Sequence, residues 1–213
     1  MDSYIELNKQ IYDSIAKEYQ QKISEREENN KFVTERFSNA INARFHHPKI
    51  LELGPGSGHA SQLLIEKSYD VTAIEFSPTM AKLAKEIAPK AKIIVGEFLS
   101  HDFKEQKYSG ILGMGFIHLF NSIDSSKVLN KIYQLLEKNG VGHLTTTRNT
   151  KSEEGYFSKI NFKNKPKRFR RKFTKNEFET ELNNAGFQII SYFEKIDNEE
   201  ENKTWMNFIF EKK

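Results

Sequence analysis

From Lys49 to Thr147 the chain alternates short apolar runs with amphipathic segments, and no other feature restricts its fold as strongly. "KILEL" (49–53), "DVTAIEF" (70–76), "AKIIVGEF" (91–98), "GILGMGF" (110–116) and "GHLTTT" (142–147) read as strands. Between them, "HASQLLIEK" (59–67), Ser77–Ile87 and "SSKVLNKIYQLLEK" (125–138) read as helices. Parallel strands need crossovers, and helices packed on both faces leave such strands apolar throughout. The alternation therefore predicts a doubly wound, parallel sheet. Ser77 is a natural N-cap with Pro78 at the first helical position, and Asn139-Gly140 is expected to end the third of these helices.

The flanks read differently. Residues 5–45 have helical apolar spacing, carried by Ile5, Ile11, Ile15, Tyr19 and Ile23, then by Phe32, Val33, Phe37, Ala40, Ile41 and Phe45. The polar stretch Ser24–Asn30 is expected to separate or weaken two helices, and Pro48 breaks the pattern. After Thr147 the rhythm loosens, and residues 148–173 carry few element signals. It returns at Thr174, which forms a capping box with Glu177 and opens a helix ended by Gly186. "FQIISYFEKI" and "TWMNFIFEK", joined by the polar link "DNEEENK", then predict an antiparallel hairpin. The expected fold is α/β, with a doubly wound, mostly parallel seven-stranded sheet, a C-terminal antiparallel hairpin and an N-terminal helical cap. A single domain is expected, divided into a cap (1–47), a core (48–147), an insertion (148–173) and a terminal helix plus hairpin (174–213).

Composition narrows the function classes. The 213 residues contain no cysteine, which removes disulfides, thiolate nucleophiles and cysteine-based zinc sites; no metal is expected. No apolar stretch approaches a membrane span, and "MDSYIELNKQ" lacks the pattern of a secretory signal, so a cytoplasmic protein without membrane partners is expected. The net charge of +4 is mild but unevenly placed. Eight of the thirteen residues from Lys163 to Lys175 are Lys or Arg, whereas Glu199, Glu200 and Glu201 form an acidic run.

The loop "ILELGPGSGH" (50–59) places Gly54, Gly56 and Gly58 directly after the first strand. A phosphate-binding loop needs a Gly-Lys-Ser/Thr ending, and here His59 and Ala60 follow Gly58. A dinucleotide loop wants a third glycine where His59 stands, so that reading is weakened but stays open. The remaining option is a turn that offers backbone amides to a non-phosphorylated nucleoside. Glu75, seventeen residues after Gly58 at the end of the second strand, is placed to accept hydrogen bonds from two ribose hydroxyls.

With these residues in register, "ILELGPGSGHAS" resembles motif I of class I S-adenosylmethionine-dependent methyltransferases, a Rossmann-like family. The resemblance implies S-adenosylmethionine as cofactor and S-adenosylhomocysteine as product. It implies that Gly54, Gly56 and Gly58 shape the loop, that Glu52 sits near the methionine ammonium and that Glu75 binds the ribose. Phe76 and Met80 would border the adenine. Glu97, in a segment "VGEFLSHDF" similar to the family's G-D-hydrophobic stretch, would accept from the adenine amino group, with Phe98 beside the ring. Met114, in "GMGFIHLFNS", would border cofactor and acceptor.

Two residues, His118 and Tyr19, are candidate catalysts. His118 has an ordinary pKa suited to taking a proton from an acceptor, although a structural hydrogen bond at a helix start would serve equally to explain it. "IYDSIAKEYQ" resembles the family's Y-D-x-x-A-x-x-Y segment, which covers the active site; Tyr12 and Tyr19 share one helix face, and one phenol would touch cofactor or acceptor. Ser109 departs from the family pattern, which often has an acidic residue there. The reading that follows is methyl transfer to the nitrogen, oxygen or carbon of a small-molecule acceptor that can be anionic, by a monomer or homodimer. An RNA or protein methyltransferase using the basic segment 163–175 is the first alternative, and a non-catalytic cofactor-binding module the second. A nicotinamide-linked oxidoreductase is more remote. A dedicated nucleic-acid enzyme would carry a broader basic face.

Overall fold

The computed structural model describes residues 3–22, 24–198 and 203–213. Ile23 and the acidic run Glu199–Glu201 lie outside the described residues, as does any pairing of that run with the basic segment. Helices α1 (Tyr4–Gln21) and α2 (Ser24–Asn42) precede the alternating core. That core runs β1 (Lys49–Leu53), α3 (His59–Glu66), β2 (Asp70–Glu75), α4 (Pro78–Ile87), β3 (Lys92–Val95), β4 (Tyr108–Met114), a short 3-10 turn (Ile117–Leu119), α5 (Ser122–Leu135) and β5 (Leu136–Thr147). A small hairpin follows, β6 (Glu153–Ser158) and β7 (Lys167–Lys172). Helix α6 (Lys175–Asn184) and strands β8 (Phe187–Asn198) and β9 (Lys203–Lys212) complete the chain.

Seven strands form one sheet in the order β3-β2-β1-β4-β5-β9-β8. The first five pair in parallel, while β9 pairs antiparallel with both β5 and β8. The expected doubly wound sheet with its terminal antiparallel hairpin is therefore the observed one. Alternate residues of each central strand enter opposite cores, as the period of two requires. Leu51, Leu53, Ile111, Phe208 and Phe210 pack with Leu129, Ile132 and Phe178 of α5 and α6. Ile50, Leu112 and Ile209 pack on the other face with Phe37 and Ile41 of α2 and Leu64 of α3. Among the described residues no helix is long and apolar enough to cross a membrane.

Three local expectations are corrected. Ser24–Asn30 does not interrupt a helix but opens α2; the break falls after Lys22, the C-cap of α1. Asn139-Gly140 does not end α5, which stops at Leu135. Leu135 and Leu136 are both buried, so the chain turns extended early, and Asn139 (φ 62°) instead sits where the β4–β5 register shifts. The segment 148–173 holds the β6–β7 hairpin. Its second strand, "KRFRRK", escaped notice because cations occupy positions where apolar residues normally mark a strand's inner face. The Thr174–Glu177 capping box and the left-handed Gly186 (φ 88°) are as expected.

Candidate functional site

Strand order reverses between β1 and β4: from β1 the chain winds outward to β2 and β3, then returns to β4 on the other side. In open α/β sheets such a switch point leaves a crevice at the carboxyl ends of the strands. The glycine loop occupies it. Gly54, Gly56 and Gly58 all have left-handed φ values (64°, 57° and 86°), a region that side-chain-bearing residues avoid. A Cβ at Gly56 would stand 3.3 Å from the Tyr19 ring and one at Gly58 2.7 Å from the Ala84 Cα. Gly56 thus keeps space open beneath α1, whereas Gly58 lets α3 begin against α4.

Glu75 closes β2 beside this loop. Its buried carboxylate accepts from the Gly56 N–H (3.2 Å) and the Ser77 N–H (3.0 Å). Burial pushes its pKa up to about 7 against those donors, with neighbouring Glu52 adding to the rise. Glu97, past the end of β3, accepts from the Leu99 and Ser100 amides at 2.7 and 2.6 Å. A narrow slot runs between these carboxylates, lined by Gly54, Gly56, Glu75, Phe76, Met80, Glu97, Phe98 and Met114. Tyr12 and Tyr19 of α1 close it from above, with their rings 6.4 Å apart.

Glu52 is placed differently. It is buried on the α3 side of β1, where Ser61 donates to its carboxylate, and burial raises its pKa to about 7. It lines a second, larger cavity of about 680 Å³ that adjoins the slot. Both spaces are bordered by Tyr12, Tyr19, Gly54, Met114 and Gly115. Gly58 lines neither space.

His118 faces the larger cavity from the 3-10 turn after β4. It is buried, with Thr146 Oγ1 3.3 Å from its Nδ1 and the Trp205 ring 6.2 Å away. Burial, then the charges of Arg170, Arg168, Lys159 and Lys203, push its pKa well below the usual value, so the imidazole is neutral. Ser109, the departure noted above, tethers β4 to the start of β1 by accepting from the Lys49 N–H.

The roof over both spaces depends on residues that the sequence did not single out. Asp13 of α1 accepts from Ser77 Oγ (2.5 Å) and the Thr79 N–H (3.1 Å), which docks α1 on the N-terminus of α4. Asn8, fully buried, accepts from the Phe169 N–H (2.8 Å) and donates to its carbonyl (3.2 Å), fixing α1 to β7. The Glu18 carboxylate accepts from the Lys163 N–H. Asp13 lies inside the quoted Tyr-Asp segment and was detectable there; Asn8 carried no signal beyond an interruption of an apolar helix face.

The residues fit the cofactor that the resemblance implies. The loop glycines keep side chains out of the crevice, the carboxyl groups of Glu75 and Glu97 flank it, and Phe76, Met80 and Phe98 supply flat or polarizable apolar walls.

Residues 50–140 match the methyltransferase domain family. An uncharacterized methyltransferase of Anoxybacillus flavithermus is 31% identical over 91 residues, covering 43% of this chain and 43% of that protein. A ribosomal RNA small subunit methyltransferase A of Chlorobium chlorochromatii is 32% identical over 62 residues, 29% of this chain and 24% of that protein. The matches thus span less than half the length of these two curated relatives. Among solved structures, a Burkholderia thailandensis 1,6-didemethyltoxoflavin-N1-methyltransferase, with 1,6-didemethyltoxoflavin and S-adenosylhomocysteine bound, is similar at a TM-score of 0.80 and 17% identity. That similarity covers 98% of this chain and 88% of the other, and it establishes the fold.

Proposed function

We propose, for a chain whose residues 50–140 match the methyltransferase domain family and whose fold is that of class I methyltransferases, that it transfers the methyl group of S-adenosylmethionine to a small-molecule acceptor. The observation that carries this reading is the pair of adjoining spaces: a slot walled by the glycine loop, Glu75 and Glu97, and a larger cavity opening from it at Tyr19, Gly54 and Met114. S-adenosylmethionine, when bound, supplies a methyl group activated by a sulfonium.

The chain's own residues then divide the work. Glu75 and Glu97 hold the nucleoside's hydrogen-bond donors, and Phe76, Met80 and Phe98 border its base. Glu52, on the cavity side, offers a negative field to the cationic end of the cofactor. Tyr12 and Tyr19 separate the spaces from water and align acceptor with donor; such alignment alone can supply much of the acceleration. His118 is neutral, and with burial and the surrounding cations opposing its protonation it serves by accepting a hydrogen bond from an acceptor N–H or O–H and orienting it.

Enclosure favours a small acceptor over RNA. The cavity lies beneath α1 and the β6–β7 hairpin, and the basic segment does not present one continuous face. Arg171 points away into an ion network with Glu177 and Glu181, while Arg168 and Arg170 line the cavity. The relatives named as ribosomal RNA methyltransferases keep the RNA reading as the second possibility. Radiolabelled S-adenosylmethionine incubated with cell extract distinguishes them. Label in a product below about 1 kDa that separates chromatographically from S-adenosylmethionine is expected; label confined to RNA or protein would contradict the small-molecule reading. In the same assay His118→Ala is expected to lose at least tenfold in turnover while S-adenosylhomocysteine affinity changes less than twofold.

A further inference from the structure

Strand β7 sorts its cations by face. Residues 168, 170 and 172 share one side and all line the larger cavity; 169 and 171 point to the other. On that other side Arg171 is fully engaged, donating to Ser125, Glu177 and Glu181. The cavity side is unlike it. Arg168 is only 7% exposed, and its Nε and Nη1 are buried without a hydrogen-bond partner among the described residues. Arg170, two residues on, donates to Thr147 Oγ1, but its Nε is also buried and has no hydrogen-bond partner among the described residues. Burial, then the charge of Arg168, push the Arg170 guanidinium down to about 10, which still leaves it charged at neutral pH.

Two arginines at i and i+2 on one strand face have Cα atoms roughly 7 Å apart, so both side chains can reach one anion. An unpaired buried charge is among the costlier features a fold can carry, and interior arginines are ordinarily matched by carboxylates, as Arg171 is. Among the described residues the only acid lining the cavity is Glu52 of β1, and its carboxylate accepts from the Ser61 hydroxyl of α3. The remaining lining adds Lys172 and aromatic surface from Tyr19, Phe157, Phe162 and Trp205. Tyr19 and Phe162 are stacked, with centroids 6.0 Å apart and planes 24° from parallel, and lysine ammonium groups already lie over several of these rings: Lys159 4.2 Å from the Phe162 centroid, Lys172 4.1 Å from Phe157 and Lys203 5.4 Å from Trp205.

From this juxtaposition we infer that the acceptor cavity is built for an aromatic small molecule bearing an oxyanion, a carboxylate or a phosphate, which Arg168 and Arg170 hold together. The planar guanidinium fork suits either anion with paired hydrogen bonds, and the aromatic walls suit a flat ring. Anion and ring together fix the acceptor's orientation, so the clamp determines which acceptor atom faces the methyl donor. The inference rests on the methyltransferase reading of the preceding section, because it treats this cavity as the acceptor site.

The test uses the full chain saturated with S-adenosylhomocysteine and calorimetric titration with benzoate, phenyl phosphate and the uncharged isostere benzamide. Benzoate or phenyl phosphate is expected to bind at least tenfold more tightly than benzamide, and whichever is tighter identifies the anion. Arg168→Met is expected to abolish that preference while S-adenosylhomocysteine affinity stays within twofold. Its melting temperature is expected to hold or rise, because a buried unpaired charge is removed; a structural arginine would lower it. Arg170→Gln supplies a second variant with the same expected loss. Equal binding of all three probes, no binding of any, or an anion preference that survives both substitutions would overturn the clamp while leaving the cofactor reading intact. Failure of the wild-type chain to bind S-adenosylhomocysteine would overturn the methyltransferase reading and this inference with it.

Discussion

At the scale of single residues, Glu75 tests whether the slot is a site or merely a tight turn. A carboxylate held near 7 against an ordinary 4.5 binds more protons in the folded than in the unfolded chain between those values. Its contribution to stability is therefore full below about pH 4.5 and is lost as pH rises through 7. Glu75→Gln mimics the protonated group, so variant and wild type are expected to melt together at pH 5. At pH 8 the variant is expected to melt a few degrees higher, on the order of 2–4 °C per kcal/mol. The same substitution is expected to weaken S-adenosylhomocysteine at least tenfold, since one acceptor becomes a donor. A variant less stable than wild type at pH 8, with unchanged affinity, would show that Glu75 serves the fold and not the nucleoside. Gly56 is the complementary residue: in Gly56→Val, a side chain forced to φ 57° against Tyr19 is expected to abolish cofactor binding, read by the same titration.

At the scale of elements, α1 decides whether the two spaces are covered. Its attachment runs through Asp13 to α4 and through Asn8 to β7, not through apolar contact alone. Asp13→Ala leaves the Ser77 hydroxyl and the Thr79 N–H without that acceptor and is expected to speed hydrogen exchange throughout α1 by at least tenfold, with β1 and β4 unchanged. Equal α1 exchange in Asp13→Ala and the wild-type chain would contradict the docking role. The elements also show what the sequence could reveal. Strands β1, β2 and β4 are legible because two-sided burial makes them largely apolar runs, and the glycine loop and Glu75 follow from their position at strand ends. Strand β7 was not legible: alternation shows that residues 168 and 170 share a face, but not whether that face meets solvent or a cavity. Only the docking of Asn8 on Phe169 decides that, and contacts so distant in sequence leave no local pattern. The end of α5 was misjudged for a related reason, since a good cap at Asn139-Gly140 was overridden by burial of Leu135 and Leu136.

At the scale of the molecule, a net charge of +4 conceals a strong internal asymmetry. Lys22, Lys159, Arg168, Arg170, Lys172 and Lys203 all border one cavity, while the buried carboxylates Glu52 and Glu75 stand along β1 and β2. A cationic acceptor cavity disfavours protonated amines and favours neutral or anionic acceptors, which are the nucleophilic forms for methyl transfer. The sheet's switch point places the cations of β7 close to Glu52 and Glu75, which stand on β1 and β2. The account as a whole rests on the identity of the nucleoside in the slot. Isothermal titration of the full chain with S-adenosylhomocysteine and, separately, with NADH tests this most directly. The predicted result is one saturable site for S-adenosylhomocysteine, lost in Gly56→Val, and no binding of NADH. Saturable NADH binding with none for S-adenosylhomocysteine would contradict it.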